Sequence, residues 1–300
     1  MKSIDVAIIG AGPAGLSAGI YCANYGLKTV IIEKGITGGR ANLAGTVRNY
    51  PGFMEISGAE LVQTMKDQAK KAGAEIKRGN VLKLTDNGKE KEIGLEEEKI
   101  SAKVVIVAVG TRNKFLGVPG EKEFLNKGVH YCATCDGPIY SEKNVAIIGC
   151  GNAALHEALY MEKIAKKITI LCPTKKFGGN NDLAEIVKKK GIETIFSAQI
   201  IRFEGNKFLE KILLKTINGK EKILTIDGAF IYAGTEPSTE FVNVKKSASE
   251  KIIVNAKMET NVKGILAAGD CAETPLGQIA TAVGEGAIAA HSASQLLQKN

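Results

Sequence analysis

Asp5-Val-Ala-Ile-Ile-Gly-Ala-Gly-Pro-Ala-Gly15 and Asn144-Val-Ala-Ile-Ile-Gly-Cys-Gly-Asn-Ala-Ala154 are two versions of one device in a chain of 300 residues. Each is an apolar run of strand character that enters a glycine-rich turn and continues into a helix-forming segment. In such a turn the first glycine makes the tight bend, the second lets a pyrophosphate approach the backbone, and the third permits close helix–strand packing. The helix N-terminus then favours the phosphate charge. Two such units predict an α/β protein with two Rossmann-like dinucleotide-binding domains.

Working outward, the next β-rich run of the first unit, Thr29–Ile32, ends at Glu33, placed to accept hydrogen bonds from a ribose. Gly10, Gly12, Pro13, Ala14, Gly15 and Glu33 are therefore candidate cofactor-binding residues. In the second unit Gly149, Gly151, Asn152, Ala153 and Ala154 take the equivalent places. Its next strand, Ile168–Leu171, ends at Cys172, at the same offset from Gly149 as Glu33 from Gly10. A cysteine there cannot select NAD as an acid does. The loop Pro173–Asn180 holds no arginine, and Lys175 and Lys176 offer point charges in place of the fork that grips a 2′-phosphate. The second fold is legible, while the choice between NADPH and NADH stays open.

Each unit then runs through β-rich segments broken by turns (Asn87-Gly88; Gly205-Asn206; Asn218-Gly219), which predicts a small β insertion in each. Each closes on an apolar strand followed by Gly-Thr, at Gly110-Thr111 and at Gly234-Thr235. The tail, with a short strand ending at Gly269-Asp270 and an Ala/Gly-rich helix over 279–297, fits the first unit and makes it discontinuous. The expected domains are 1–114 with 243–300, and 115–242. The crossings near 112–120 and 236–245, each containing a proline (Pro119, Pro237), are the candidate hinges.

Cys132-Ala-Thr-Cys135-Asp136 lies just upstream of the second glycine turn. A two-residue spacer lets two cysteines close a reducible disulfide or open to a reactive dithiol. Asp136 is a candidate proton donor to a departing thiolate, since that chemistry needs an acid; a capping or surface carboxylate is the plainer alternative. Half of a zinc site is the competing reading of the pair, and His130 is nearby, but no second CxxC exists and the four remaining cysteines are scattered, so no metal is expected. Cys22, Cys150, Cys172 and Cys271 stand singly among apolar or small residues and read as buried free thiols.

The net charge of +8 does not point to nucleic acid. The arginines are only Arg40, Arg48, Arg78, Arg112 and Arg202, and the lysines spread over the whole chain, whereas base and phosphate readout calls for clustering and favours arginine. A basic surface suits docking of a small acidic protein. No apolar run is long enough to span a bilayer, and the sequence opens straight into a strand, so a cytoplasmic protein without membrane contact is expected.

On these motifs the chain resembles the low-molecular-weight thioredoxin reductases over nearly its whole length. The match includes both glycine turns, Gly38-Gly39, Asn49-Tyr-Pro-Gly-Phe53, Cys132–Asp136, Gly269-Asp270 and Gln278-Ile279. The resemblance implies FAD in the first domain, with Gly38, Gly39, Arg40, Asn49, Gly110, Thr111, Gly269, Asp270, Gln278 and Ile279 joining its site. It implies that Cys135 is the thiol next to the flavin, Cys132 the one that attacks the protein substrate, and Asp136 the acid. It also implies a homodimer, with the second domain swivelling between flavin reduction and disulfide exchange. Two departures stand out. Relatives that use NADPH carry a His-Arg-Arg cluster where this chain has Cys172–Gly178, and an Arg-Gln-Ala where it has Gly277-Gln278-Ile279. Some relatives without the cluster take electrons from ferredoxin or a deazaflavin. The leading expectation is thus a flavoenzyme that reduces thioredoxin or a related redoxin. The alternatives are a reductase driven by ferredoxin or a deazaflavin, or a redox-sensing flavoprotein with little turnover.

Overall fold

The computed structural model describes residues 4–44 and 46–298, without the side chains of Thr46 and Cys135. The chain divides into two compact units, Met1–Arg112 with Glu236–Asn300, and Asn113–Thr235. Residues 236–242, expected in the second domain, belong to the first. The reason is local: Phe241 O accepts from Leu84 N at 2.8 Å, and Val242 is buried in the first unit's core.

The first unit opens with β1 (Ile4–Ile9), α1 (Pro13–Asn24) and β2 (Thr29–Glu33). It continues through α2 (Gly58–Ala72), β3 (Glu75–Arg78), β4 (Val81–Asp86), β5 (Lys91–Leu95) and β6 (Lys99–Val107). Helix α2 is punctuated at both ends. Ser57 and Glu60 form a reciprocal capping box, and Gly73 ends the helix at φ +104°. The sheet order is β3-β2-β1-β6-β5-β4. Strands β3, β2, β1 and β6 run parallel, with Ile8 in register with both Ile31 and Ile106, and β4–β5 forms the antiparallel insertion.

The second unit holds β7 (Val129–His130), α3 (Ala133–Asp136), β8 (Asn144–Ile148), α4 (Asn152–Met161), β9 (Lys167–Cys172), α5 (Asn181–Lys189) and β10 (Glu193–Phe196). Its insertion is the antiparallel sheet of β11 (Gln199–Gly205), β12 (Leu209–Lys215) and β13 (Glu221–Thr225), and the unit closes on β14 (Gly228–Ile231). The main sheet, β7-β14-β8-β9-β10, is parallel throughout. The chain then returns to the first unit as β15 (Ile265–Ala267), which pairs with β6, and α6 (Ile279–Gln298).

Alternation along the strands builds a core on each face of each main sheet. In β1, Val6 and Ile8 pack under α1, α2 and α6, while Ala7 and Ile9 face the other side with Val105, Val107 and Ile252. In β8, Val145 and Ile147 meet the helices, and Ala146 and Ile148 meet the insertion. The sequence expectation of an α/β fold with two Rossmann-like domains, the first discontinuous and each carrying a small β insertion, is what the structure shows.

Candidate active site

The first glycine turn lies at the C-terminal edge of β1. Gly10 sits at φ +104°, where an added Cβ would meet Ala108 O at 2.4 Å, and at Gly15 one would meet Gly10 O at 1.9 Å. These two glycines are therefore packing devices. Gly12 differs, because a Cβ there would find nothing within 4 Å. It opens onto a cleft of about 790 Å3 lined entirely by the first unit. No side chain caps α1, so its first amides are free for a ligand, and Pro13 at the first helical position has no N–H to satisfy.

Glu33, at the end of β2, organises this edge. Its Oε2 accepts from Ala11 N at 2.7 Å and its Oε1 from Gly35 N at 2.8 Å. A carboxylate has about four acceptor sites, which leaves capacity for two ribose hydroxyls. Across the cleft, Arg40 Nη1 donates to Thr111 Oγ1 at 3.0 Å and lies 3.8 Å from Asp270 Oδ2. Gly38, Gly39, Gly110, Gly269, Gln278 and Ile279 line the same cleft. Asn49 Nδ2 donates to Gln278 Oε1 at 2.9 Å, which ties it to a side chain of the cleft. An uncapped helix end, an acid at the ribose position and an open glycine make a site whose residues fit a dinucleotide.

The second unit carries the cysteine pair. Cys132 is half-buried and disulfide-bonded, directly before the single helical turn α3; the side chain of Cys135 lies outside the described atoms. The turn is held from below. Ala133 N donates to Tyr232 Oη at 2.8 Å, and Asp136 N to Cys132 O at 3.1 Å. Asp136 Oδ2 is 3.0 Å from Nδ1 of buried His130, whose Nε2 is 2.7 Å from Tyr140 Oη. Burial pushes the Tyr140 phenol up to about 12 and raises Tyr232 as well. Glu157 is raised by the same cause. Groups whose burial disfavours ionisation thus lie around the turn.

The second glycine turn repeats the first with altered chemistry. Gly149 sits at φ +133° against Tyr232 O, and Gly151 is open like Gly12. Cys172 is wholly buried, and its Sγ donates to Thr174 O at 3.4 Å and Lys176 O at 3.5 Å. It ends β9 as Glu33 ends β2, with its thiol pointing inward and stitching its own loop. That loop folds onto the start of α4. Gly178 N donates to Cys150 O at 3.0 Å and Asn180 N to Asn152 Oδ1 at 2.6 Å. A Cβ on Gly179 would lie 2.9 Å from Asn152 N, whereas Gly39 of the first unit has nothing within 4 Å. Lys175 and Lys176 are exposed.

Residues 4–286 match the family described as pyridine nucleotide-disulphide oxidoreductase. The chain belongs to that family. It is 39% identical to the thioredoxin reductase of Bacillus subtilis, with 99% of this chain and 96% of the relative covered. The crystal structure of Lactococcus lactis thioredoxin reductase (FR conformation) superposes with a TM-score of 0.91 at 33% identity, covering 99% of this chain and 100% of that one. A ferredoxin-flavin thioredoxin reductase from Clostridium acetobutylicum matches with a TM-score of 0.57 at 31% identity, over 100% and 99% of the two chains. This family member is thus a thioredoxin reductase homologue along its full described length.

Sequence reasoning missed several residues of this oxidoreductase. Glu285 of α6 accepts from Gly269 N at 2.7 Å and so fixes the Gly-Asp corner of the cleft. His130, Tyr140, Glu157 and Tyr232 build the floor under the cysteine pair. Their one sequence signal is polarity inside apolar surroundings, as in His130 following Val129 and Tyr232 following Ile231.

Proposed function

We propose that this oxidoreductase is an FAD-dependent thioredoxin reductase, acting through Cys132 and Cys135 on thioredoxin or a related redoxin. The observation that carries the reading is a disulfide-bonded Cys132 before a helical turn ending in an acid, in a chain whose other unit holds a dinucleotide cleft. FAD, when bound, supplies a two-electron carrier that accepts from a donor and reduces a disulfide. The amides at the start of α1 bind its pyrophosphate, Glu33 its ribose, and Arg40, Asp270 and Gln278 orient the remainder. Reduction of the pair yields two thiols. Cys132, as thiolate, attacks the disulfide of the redoxin, and Cys135 then displaces the reduced partner while the pair is re-oxidised. Each departing thiolate needs a proton, and Asp136 is the acid beside it.

Dinucleotide coenzymes bind the second unit weakly in this reading, because the loop 173–180 crowds the first amides of α4 and Cys172 is turned away. That same crowding favours a second reading of the donor, reduced ferredoxin. The protein works as a homodimer in the cytoplasm. Denaturing the purified protein tests the flavin assignment: free FAD in the supernatant is expected, and a colourless protein that cannot be reconstituted with FAD would refute it.

A further inference from the structure

We propose that His130 is a positioning residue for Asp136, with Nδ1 holding the carboxyl in place and Tyr140 holding the ring; this rests on the reading of Asp136 as the acid. His130 closes β7 beneath the cysteine turn, is 4% exposed, and stacks on Phe230 with centroids 5.4 Å apart. Its two nitrogens differ. Nε2 meets the Tyr140 hydroxyl at 2.7 Å, whereas Nδ1 is buried and makes no hydrogen bond among the described residues. A buried ring nitrogen without a partner is costly in a packed interior, and among the described residues Asp136 Oδ2 lies against it at 3.0 Å.

A small rotation of the half-exposed carboxyl completes that bond. Tyr140 O–H then donates to Nε2, which places the neutral ring's proton on Nδ1, directed at an oxygen of the protonated Asp136 carboxyl. When a thiolate departs, the Asp136 carboxyl gives it a proton and becomes a carboxylate, and Nδ1–H stabilises that anion without itself changing protonation state. The charged and titratable groups around His130 are few. Asp136 belongs to α3, and Tyr140 lies in the turn after it. Lys143 Nζ is 5.7 Å from the Tyr140 ring centroid, and Asp227 acts on the same phenol. Tyr232, following β14, adds its phenol and is influenced by Glu157 of α4. Burial holds the ring neutral and Asp136 opposes it.

The test is a histidine-labelled holoenzyme, which has only His130, His156 and His291 to assign. In 15N spectra His130 is expected as the Nδ1–H tautomer, with a titration midpoint that falls when Asp136 is replaced by Asn. In parallel, H130F is expected to lower kcat/KM for thioredoxin about tenfold and to displace its pH profile. H130N retains a donor near the Nδ1 position and should restore most of the loss. An Nε2–H tautomer with a midpoint indifferent to D136N would overturn the inference, as would a foldable H130F with the parent's pH profile. If D136N itself reduces thioredoxin at the parent rate, Asp136 is not the acid, and the spectra still decide whether His130 holds it.

Discussion

At the residue scale the chemistry rests on a few side chains whose environments set their roles. Glu33 shows how a legible residue can carry more than its motif states, since it closes the glycine turn on itself before any ribose arrives. Its replacement by Ala leaves two backbone amides without their acceptor and removes the ribose contacts. FAD affinity should fall by at least about 10- to 100-fold, the loss of one bond worth about 1.5–3 kcal/mol to a charged group, measured as flavin retained on gel filtration. Glu285 is the counterpart that no local pattern marks, because its partner Gly269 lies a helical turn and a loop away. Burial raises its pKa above the ordinary carboxylate value. The native state therefore holds that proton to higher pH than the unfolded chain. Its contribution to stability is complete below the unfolded pKa and declines as pH rises through the window up to the raised one. E285Q keeps an oxygen for Gly269 N and does not ionise. Relative to the parent, its stability should improve as pH rises through that window, as thermal denaturation at several pH values will show.

At the scale of elements, both glycine turns could be read because their backbone demands recur at fixed spacing, and the alternating strands follow from their apolar pattern. Cys172 ends its strand as Glu33 ends β2, at the same offset from the glycine turn, and is the buried free thiol its apolar surroundings suggest; the offset does not say which way that last side chain points. Helix α6 was legible as a small-residue helix, and its contacts explain the composition. A Cβ on Gly286 would lie 2.1 Å from Ala14 O, and Ser17 Oγ donates to Val283 O at 2.8 Å. G286A should force α6 away from α1 and cost roughly 1–3 kcal/mol of stability, with a lowered Tm and loosened flavin, since Ala14 and Ala282 also line the cleft. The coenzyme loop yields a further expectation. Two exposed lysines add only about 1 kcal/mol toward a 2′-phosphate, so NADH and NADPH should both reduce the flavin with weak apparent affinity and a preference below about tenfold. Micromolar affinity with a hundredfold preference for either would mean the loop rebuilds a normal site.

At the scale of the whole molecule, an internal repeat has been put to two uses. The first unit keeps the open glycine turn and the acid beside it; the second keeps the fold but gives its edge to a cysteine pair and to a loop that closes over its own helix. No helix among the described residues is long and apolar enough to cross a membrane. The discontinuous first unit was legible from the tail's Gly-Asp strand and helix. The exact crossing at Thr235–Glu236 was not, because the pairing of Phe241 with Leu84 is a tertiary contact without local signature. Electron flow from flavin to redoxin is the claim that unites both halves. It is tested most directly by reducing the holoenzyme with dithionite, mixing it with oxidised thioredoxin in a stopped-flow instrument, and following flavin absorbance. Rapid flavin re-oxidation, with one thioredoxin disulfide reduced per flavin turnover and abolished in both C132S and C135S, is the expected result. Flavin that stays reduced in the parent protein, or re-oxidises equally fast in either variant, would contradict it.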